Sequence, residues 1–159
     1  IKLGMRVNMT LCFAQEQAAA VYAATRGAKK GQVFVSPFVG RLDDKNVNGM
    51  DLIKNILKMY AESDGHVEVL AASVRSLDHF LHALQLDSDI ITAPYKVLKE
   101  WVEKNMLIPN EQFRYAPTLF EIPYEKINLS KNWKEYNVSH ELTNTGLQRF
   151  ADDWNALIA

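Results

Sequence analysis

With 159 residues, 48 % of them hydrophobic, the chain can bury one ordinary core and reads as one domain. Its 18 Lys and Arg against 19 Asp and Glu leave a formal charge of −1, without the basic excess that nucleic-acid binding requires. No apolar run approaches the roughly 20 residues that cross a bilayer, and no signal-peptide pattern is visible. The single cysteine, Cys12, excludes an internal disulfide framework and suits a reducing cytoplasm. The sequence opens at Ile1 as though inside an element, so it is expected to be a piece of a longer chain.

In chain order, short β-branched or apolar runs alternate with helix-length amphipathic stretches. A strand is expected over Arg6–Phe13, followed by a helix over Gln15–Arg26 with Ala18, Val21, Tyr22 and Thr25 at i, i+3, i+4, i+7. A second strand over Gln32–Pro37 precedes a helix over Met50–Ala61 that carries Ile53, Ile56, Leu57 and Tyr60 on one stripe. A third strand, Val67–Val74, leads into a helix over Leu77–Leu86 capped by Ser76. A fourth, Asp89–Pro94, leads into a helix over Lys96–Lys104. The rhythm then breaks. Asn105–Glu141 holds three of the five prolines and many aromatics without periodicity. It reads as a long ordered insertion with a short strand near Phe113–Tyr115, since its rings need burial. A last helix is expected from the capping-box spacing of Thr145 and Gln148, with Leu147, Phe150, Trp154 and Leu157 as its apolar face.

Four strand–helix units argue an α/β fold with a parallel sheet covered by helices. Two architectures remain open on periodicity alone: a small doubly wound sheet, and half of an eight-stranded βα barrel.

In both, ligands bind at the carboxyl ends of the strands. Polar residues two apart gather there: Asn8 and Thr10, Ser36 with Phe38, and Ser73 with Arg75. Arg41 follows in the loop after the second strand. Two guanidinium groups at one sheet end can clamp a phosphate by bidentate hydrogen bonds. The plainer alternative is a pair of solvated loop arginines bound to Asp43 or Asp78. His79 and His82 lack the further ligands of a zinc site and are expected at the surface. Cys12 has no visible activating partner, and Gly31 and Gly40 sit in no phosphate-loop pattern. Asp43, Asp44, Glu121, Glu125 and Glu141 lack the spacing of an acid/base pair. A Schiff-base enzyme needs a desolvated lysine. None lies within the four strands, Lys2 precedes the first of them, and Lys96 falls opposite the apolar stripe of its helix. No cofactor or metal is expected.

The runs Val7–Phe13, Val35–Asp43, Leu70–Arg75 and Ile91–Leu98 resemble consecutive strand motifs of the transaldolase family, and Leu142–Leu147 with Phe150–Trp154 resembles its C-terminal helix. The resemblance spans Arg6–Lys104 and Leu142–Trp154. It implies the C-terminal half of a (β/α)8 TIM-type barrel, strands five to eight with their helices, as one partial domain over 1–159 with an insertion at about 105–141. It also implies transfer of a dihydroxyacetone unit between sugar phosphates in the pentose phosphate pathway, through a lysine Schiff base. By resemblance, Asn8 contacts the donor and Thr10 positions the catalytic water. Ser36 and Ser73 bond sugar hydroxyls, and Arg41 and Arg75 bind phosphate. Phe38 stands where the related fructose-6-phosphate aldolases carry Tyr. The family's Schiff-base lysine would precede Ile1, so the chain alone is expected to be inactive. The expected partners are sugar phosphates and either further copies of the chain or the missing N-terminal half. A non-catalytic sugar-phosphate-binding module and a fructose-6-phosphate aldolase are the competing readings.

Overall fold

The computed structural model describes residues 3–158, so Ile1, Lys2 and Ala159 lie outside the described residues. Strand β1 (Val7–Cys12) is followed by helix α1 (Gln15–Ala24), β2 (Val33–Pro37), the short helix α2 (Val39–Asp43) and α3 (Gly49–Tyr60). Then come β3 (Val67–Ala71), α4 (Leu77–Gln85), β4 (Ile90–Ile91), α5 (Tyr95–Glu103) and, after a long irregular segment, α6 (Glu141–Ile158).

The four strands form one parallel sheet in the order β1-β2-β3-β4. A doubly wound sheet must reverse its strand order to carry helices on both faces. Sequential order with right-handed crossovers puts every helix on the same face, which is the winding of a βα-barrel arc. Burial follows this rule. Val33, Val35, Val67 and Val69 are sealed under the helices, whereas Phe34, Glu68 and Leu70, with side chains on the opposite face, stay partly exposed. The core fills the helix side with Ala18 and Ala19 of α1 and Leu52, Ile53 and Ile56 of α3. Of the expected stripe on α1 only Ala18 is buried, while Val21, Tyr22 and Thr25 are half-buried; the buried face runs through Gln15, Gln17, Ala18, Ala19, Ala20 and Ala23, whose small alanines let the helix lie close to the sheet.

Helix starts show where local chemistry decides. Ser76 caps α4 by accepting from His79 N (3.2 Å), as expected, and Asn48, which the sequence pattern did not single out, caps α3 by accepting from Met50 N (3.2 Å). Four expectations need correction. The expected fourth strand keeps only Ile90–Ile91, because the Asp89 carboxylate, not a strand carbonyl, accepts from Val69 N at 2.8 Å. Arg41 lies in a helix, α2, rather than a loop. Phe113–Tyr115 is not a strand; the one ladder-like contact of the segment is the Val47–Phe120 bridge, closed by Asn48 N to Phe120 O at 2.7 Å and Phe120 N to Asn46 O at 2.9 Å. Finally, α6 begins four residues before Thr145, where the His140 ring accepts from Leu142 N at 3.2 Å, and its expected apolar face is exposed, Trp154 to 62 %.

The irregular segment straps the helix layer. Asn55 of α3 donates to Ile122 O and Asp51 accepts from Ile122 N. Gln15 of α1 bonds both Glu125 N and Glu125 O, and Arg26 donates to Leu129 O and Lys131 O. Gln17 closes the strap onto α6. Its amide donates to Val138 O and to the Thr143 hydroxyl, which itself donates to Leu11 O, while its carbonyl accepts from Phe13 N.

Candidate functional site

The carboxyl ends of β1, β2 and β3 meet in a small crossroads of main-chain hydrogen bonds. Phe38 N donates to Cys12 O, Ala72 N to Pro37 O, Val39 N to Ala72 O and Gly40 N to Ser73 O, all within 3.0–3.1 Å. Ser73 adopts a left-handed backbone (φ 58°) to present that carbonyl, so it lies past the end of β3 and does not share a strand face with Arg75. Gly40 permits the crossing. A Cβ there would lie 2.6 Å from Arg75 Cδ and 2.6 Å from Ser73 O, far inside ordinary contact.

The two arginines reach one cavity from this crossroads. It measures about 240 Å³ and is lined by Arg41, Asp44, Lys45 and Arg75 on one side, and by Leu142, Thr145, Gly146 and Arg149 of α6 on the other. The Arg41 guanidinium carbon lies 5.1 Å from the Phe38 ring centroid and 5.6 Å from that of Phe150, so flat aromatic faces orient it. Arg75 makes a two-pronged ion pair with Asp44, its Nη2 donating to Oδ2 at 2.7 Å and its Nη1 to Oδ1. This guanidinium holds the Asp44 carboxyl below the usual carboxylate range, and the carboxylate raises Arg75 in turn. The expected alternative partners, Asp43 and Asp78, do not pair with Arg75. Asp43 binds His79 Nε2 at 2.8 Å and accepts from Gly49 N at 2.9 Å.

That pair corrects the expectation of surface histidines. His79 is buried, and its Nδ1 accepts from Arg75 N at 3.4 Å. The relay from Gly49 through Asp43 and His79 therefore fixes the main chain that carries Arg75. Spacing alone could not reveal it, because Asp43 and His79 are 36 residues apart in sequence and meet only after α2 and α4 pack.

The remaining expected positions divide in two. Ser36 Oγ donates to Asn8 Oδ1 at 2.7 Å across β1 and β2, so those two are brought together. Thr10 is exposed and lines a different cavity, about 350 Å³, at the free edge of β1, with Met9, Cys12, Gln17, Val21 and Trp133. The register shift between Met9 and Cys12, with Leu11 at φ 57°, turns that end of β1 away from regular pairing. Cys12 is buried, and burial pushes its thiol up to about 12. Lys96 is exposed on α5. Among the described residues no cluster of His, Cys, Asp and Glu could hold a metal ion, and no helix is long and apolar enough to cross a membrane. The arrangement is a cationic cavity at a sheet's carboxyl end, suited to an oxyanion such as a phosphoryl group.

The family model described as transaldolase/fructose-6-phosphate aldolase matches residues 1–159. The chain belongs to this family. A probable transaldolase of Ruegeria sp. (strain TM1040) is 46 % identical over 99 residues, which is 62 % of this chain and 43 % of that relative. One of Brucella ovis is 46 % identical over 100 residues, 63 % of this chain and 43 % of its own length. One of Paracoccus denitrificans is 46 % identical over 96 residues, 60 % of this chain and 42 % of its own. The match to this transaldolase/aldolase family member thus takes in under half of each relative.

Proposed function

We propose that this chain is the phosphate- and hydroxyl-binding half of a transaldolase barrel, corresponding to strands five to eight. The whole enzyme transfers a dihydroxyacetone unit from a ketose phosphate to an aldehyde acceptor through a lysine Schiff base. That lysine belongs to a strand outside this chain. The observation that carries the reading is the convergence of Arg41 and Arg75 on one cavity at the carboxyl ends of β2 and β3. In a βα barrel this is the end where substrates bind.

The division of labour is the one the family resemblance implies. Arg41, oriented by the Phe38 ring, and Arg75, anchored through its main chain, bind the phosphate. Asn8, exposed on the open sheet face and held by the hydroxyl of the buried Ser36, presents polar atoms to sugar hydroxyls with Ser36 behind it, and Ser73 lies between the two arginine-bearing segments. Thr10 positions water near the edge of β1. Phe38 stands where the related fructose-6-phosphate aldolases carry Tyr and its ring is occupied with Arg41, which favours transfer over aldol cleavage. The residues need no cofactor. The partners in this reading are sugar phosphates and the rest of the barrel, and the setting is cytoplasmic.

The test is donor selectivity in the full-length protein. A charge-assisted hydrogen bond contributes roughly 1.5–3 kcal/mol, so Arg41→Ala or Arg75→Ala should raise KM for a phosphorylated donor about ten- to a hundredfold. Dihydroxyacetone, which has no phosphate, should be used nearly as well as before with a non-phosphorylated aldehyde acceptor. Arg→Lys should rescue only in part, since an ammonium lacks the planar fork. Equal losses on both donors would make the arginines structural and refute the phosphate site.

A further inference from the structure

The phosphate reading assigns two arginines, yet the cavity has a third. We propose that α6 is a wall of the anion site and that Arg149 is a specificity-determining residue, contacting the phosphoryl group together with Arg41 and Arg75. The proposal rests on the phosphate reading above.

Leu142, Thr145, Gly146 and Arg149 follow one another at i, i+3, i+4 and i+7, so the face that α6 turns to the cavity is a single helical stripe. Its docking is close. Gly146 is the buried position of α6, and a Cβ there would lie 2.8 Å from Arg41 Nη1 and 2.8 Å from Leu11 Cδ2. Any larger residue would displace the tips of Arg41 and Leu11 from the helix. Phe150, the next residue after Arg149, completes the aromatic setting of the Arg41 guanidinium. Thr143 ties the start of the helix to Leu11 O and Gln17. The helix is therefore attached to the end of β1 and to Arg41 together.

Charge explains why a third guanidinium matters. Asp44 occupies the fork of Arg75, and Lys45 is turned to Glu141 at 3.4 Å. An incoming dianion would otherwise meet Arg41 and an already neutralised pair. Arg149 restores the excess of positive charge. Its ion pair among the described residues runs from Nε to Asp153 at 3.9 Å, the loose limit of such a contact, and leaves both terminal nitrogens to donate to a phosphoryl oxygen. Closer pairing with the ligand replaces a weak surface pair, which by itself contributes little. The site then discriminates a dianionic phosphate from a neutral or singly charged group at the same position.

The experiment compares Arg149→Gln and Arg149→Lys with Arg41→Ala and Arg75→Ala in the full-length protein. Inorganic phosphate is the calorimetric probe, and a phosphorylated donor and dihydroxyacetone are the kinetic ones. Arg149 is exposed on a helix, so melting midpoints should stay at the parent value, and Arg149→Lys covers the case in which the glutamine variant does not fold. Arg149→Gln should weaken phosphate binding and raise KM for the phosphorylated donor about five- to tenfold with kcat unchanged. Dihydroxyacetone kinetics with a non-phosphorylated acceptor should not move, and Arg149→Lys should recover the loss only in part. If Arg41→Ala and Arg75→Ala weaken phosphate while Arg149→Gln does not, α6 is a mere cover and the proposal falls. If none of the four variants weakens phosphate, the proposal falls together with the reading on which it rests.

Discussion

Replacing Gly40 by alanine should injure both the fold and the site, and the two injuries can be separated. The added methyl would lie 2.6 Å from Arg75 Cδ and 2.6 Å from Ser73 O. The arginine stem can swing aside, but Ser73 O cannot, because it accepts from Gly40 N itself at 3.1 Å and Ser73 is already left-handed. Overpacking of this kind costs about 1–3 kcal/mol, and each kcal/mol lowers Tm by roughly 2–4 °C at a size of 150–250 residues. Moving Arg75 off its place adds a loss of phosphate affinity approaching that of Arg75→Ala. The assay is thermal melting plus KM for a phosphorylated donor in the full-length protein, for Gly40→Ala, Arg75→Ala and the double variant. The double variant should melt above Gly40→Ala alone, since one of the two close neighbours is gone, yet below Arg75→Ala, since the carbonyl remains. A Gly40→Ala protein with parent Tm and parent KM would refute the claim that the close crossing of α2 over Ser73 positions Arg75.

Two further outcomes follow from one buried and one half-buried titratable group. Cys12 is sealed beneath α1, with its Sγ donating to Ala14 O at 3.5 Å and its thiol pushed up to about 12 by burial. Iodoacetamide at neutral pH should therefore leave it intact until denaturant is added, and equal rates with and without denaturant would contradict that burial. Burial also lowers His82, which stacks on Tyr115 with ring centroids 4.7 Å apart. Below its ordinary value of 6.5 the unfolded chain then binds more protons than the folded one, so stability is full above that pH and falls as the pH drops through the window beneath it. Urea midpoints at about pH 7.5 and about pH 5.5 should differ less in His82→Gln than in the parent, and an unchanged difference would assign the pH dependence elsewhere.

What the sequence made legible is what short-range patterning controls. The β-branched runs Val33–Val35 and Val67–Val69 are buried on one face and partly open on the other, and the stripe of Ile53 and Ile56 faces the core. Strand order was out of reach of periodicity, since the same units build a singly or doubly wound sheet, and it took the observed pairing to separate them. The strap was legible as an ordered insertion but its course was not, because its main chain is satisfied largely by side chains of α1 and α3 rather than by a ladder, which leaves no period to read. At the site, Arg41 and Arg75 were visible as residue types near strand ends. Asp44, His79, Gly146 and Arg149 were not, because their value lies in contacts between segments far apart in the chain. The start of α6 was misplaced for a local reason, an imidazole serving where a hydroxyl or carboxamide was sought.

The strap divides evolutionary constraint unevenly. Most of the groups that grip it are side chains, Gln15, Gln17, Asp51 and Asn55 on the helices and Arg26 in the turn after α1, and what they grip are carbonyls and amides common to nearly every amino acid. A clasp written in main-chain atoms does not inspect the identity of what it holds. Between its few anchoring rings, such as Tyr115 and the buried Tyr136, the strap is thus at liberty to drift in sequence, while the selective burden falls on five polar positions, four in helices and one in the turn after α1, that would otherwise look like ordinary scaffold.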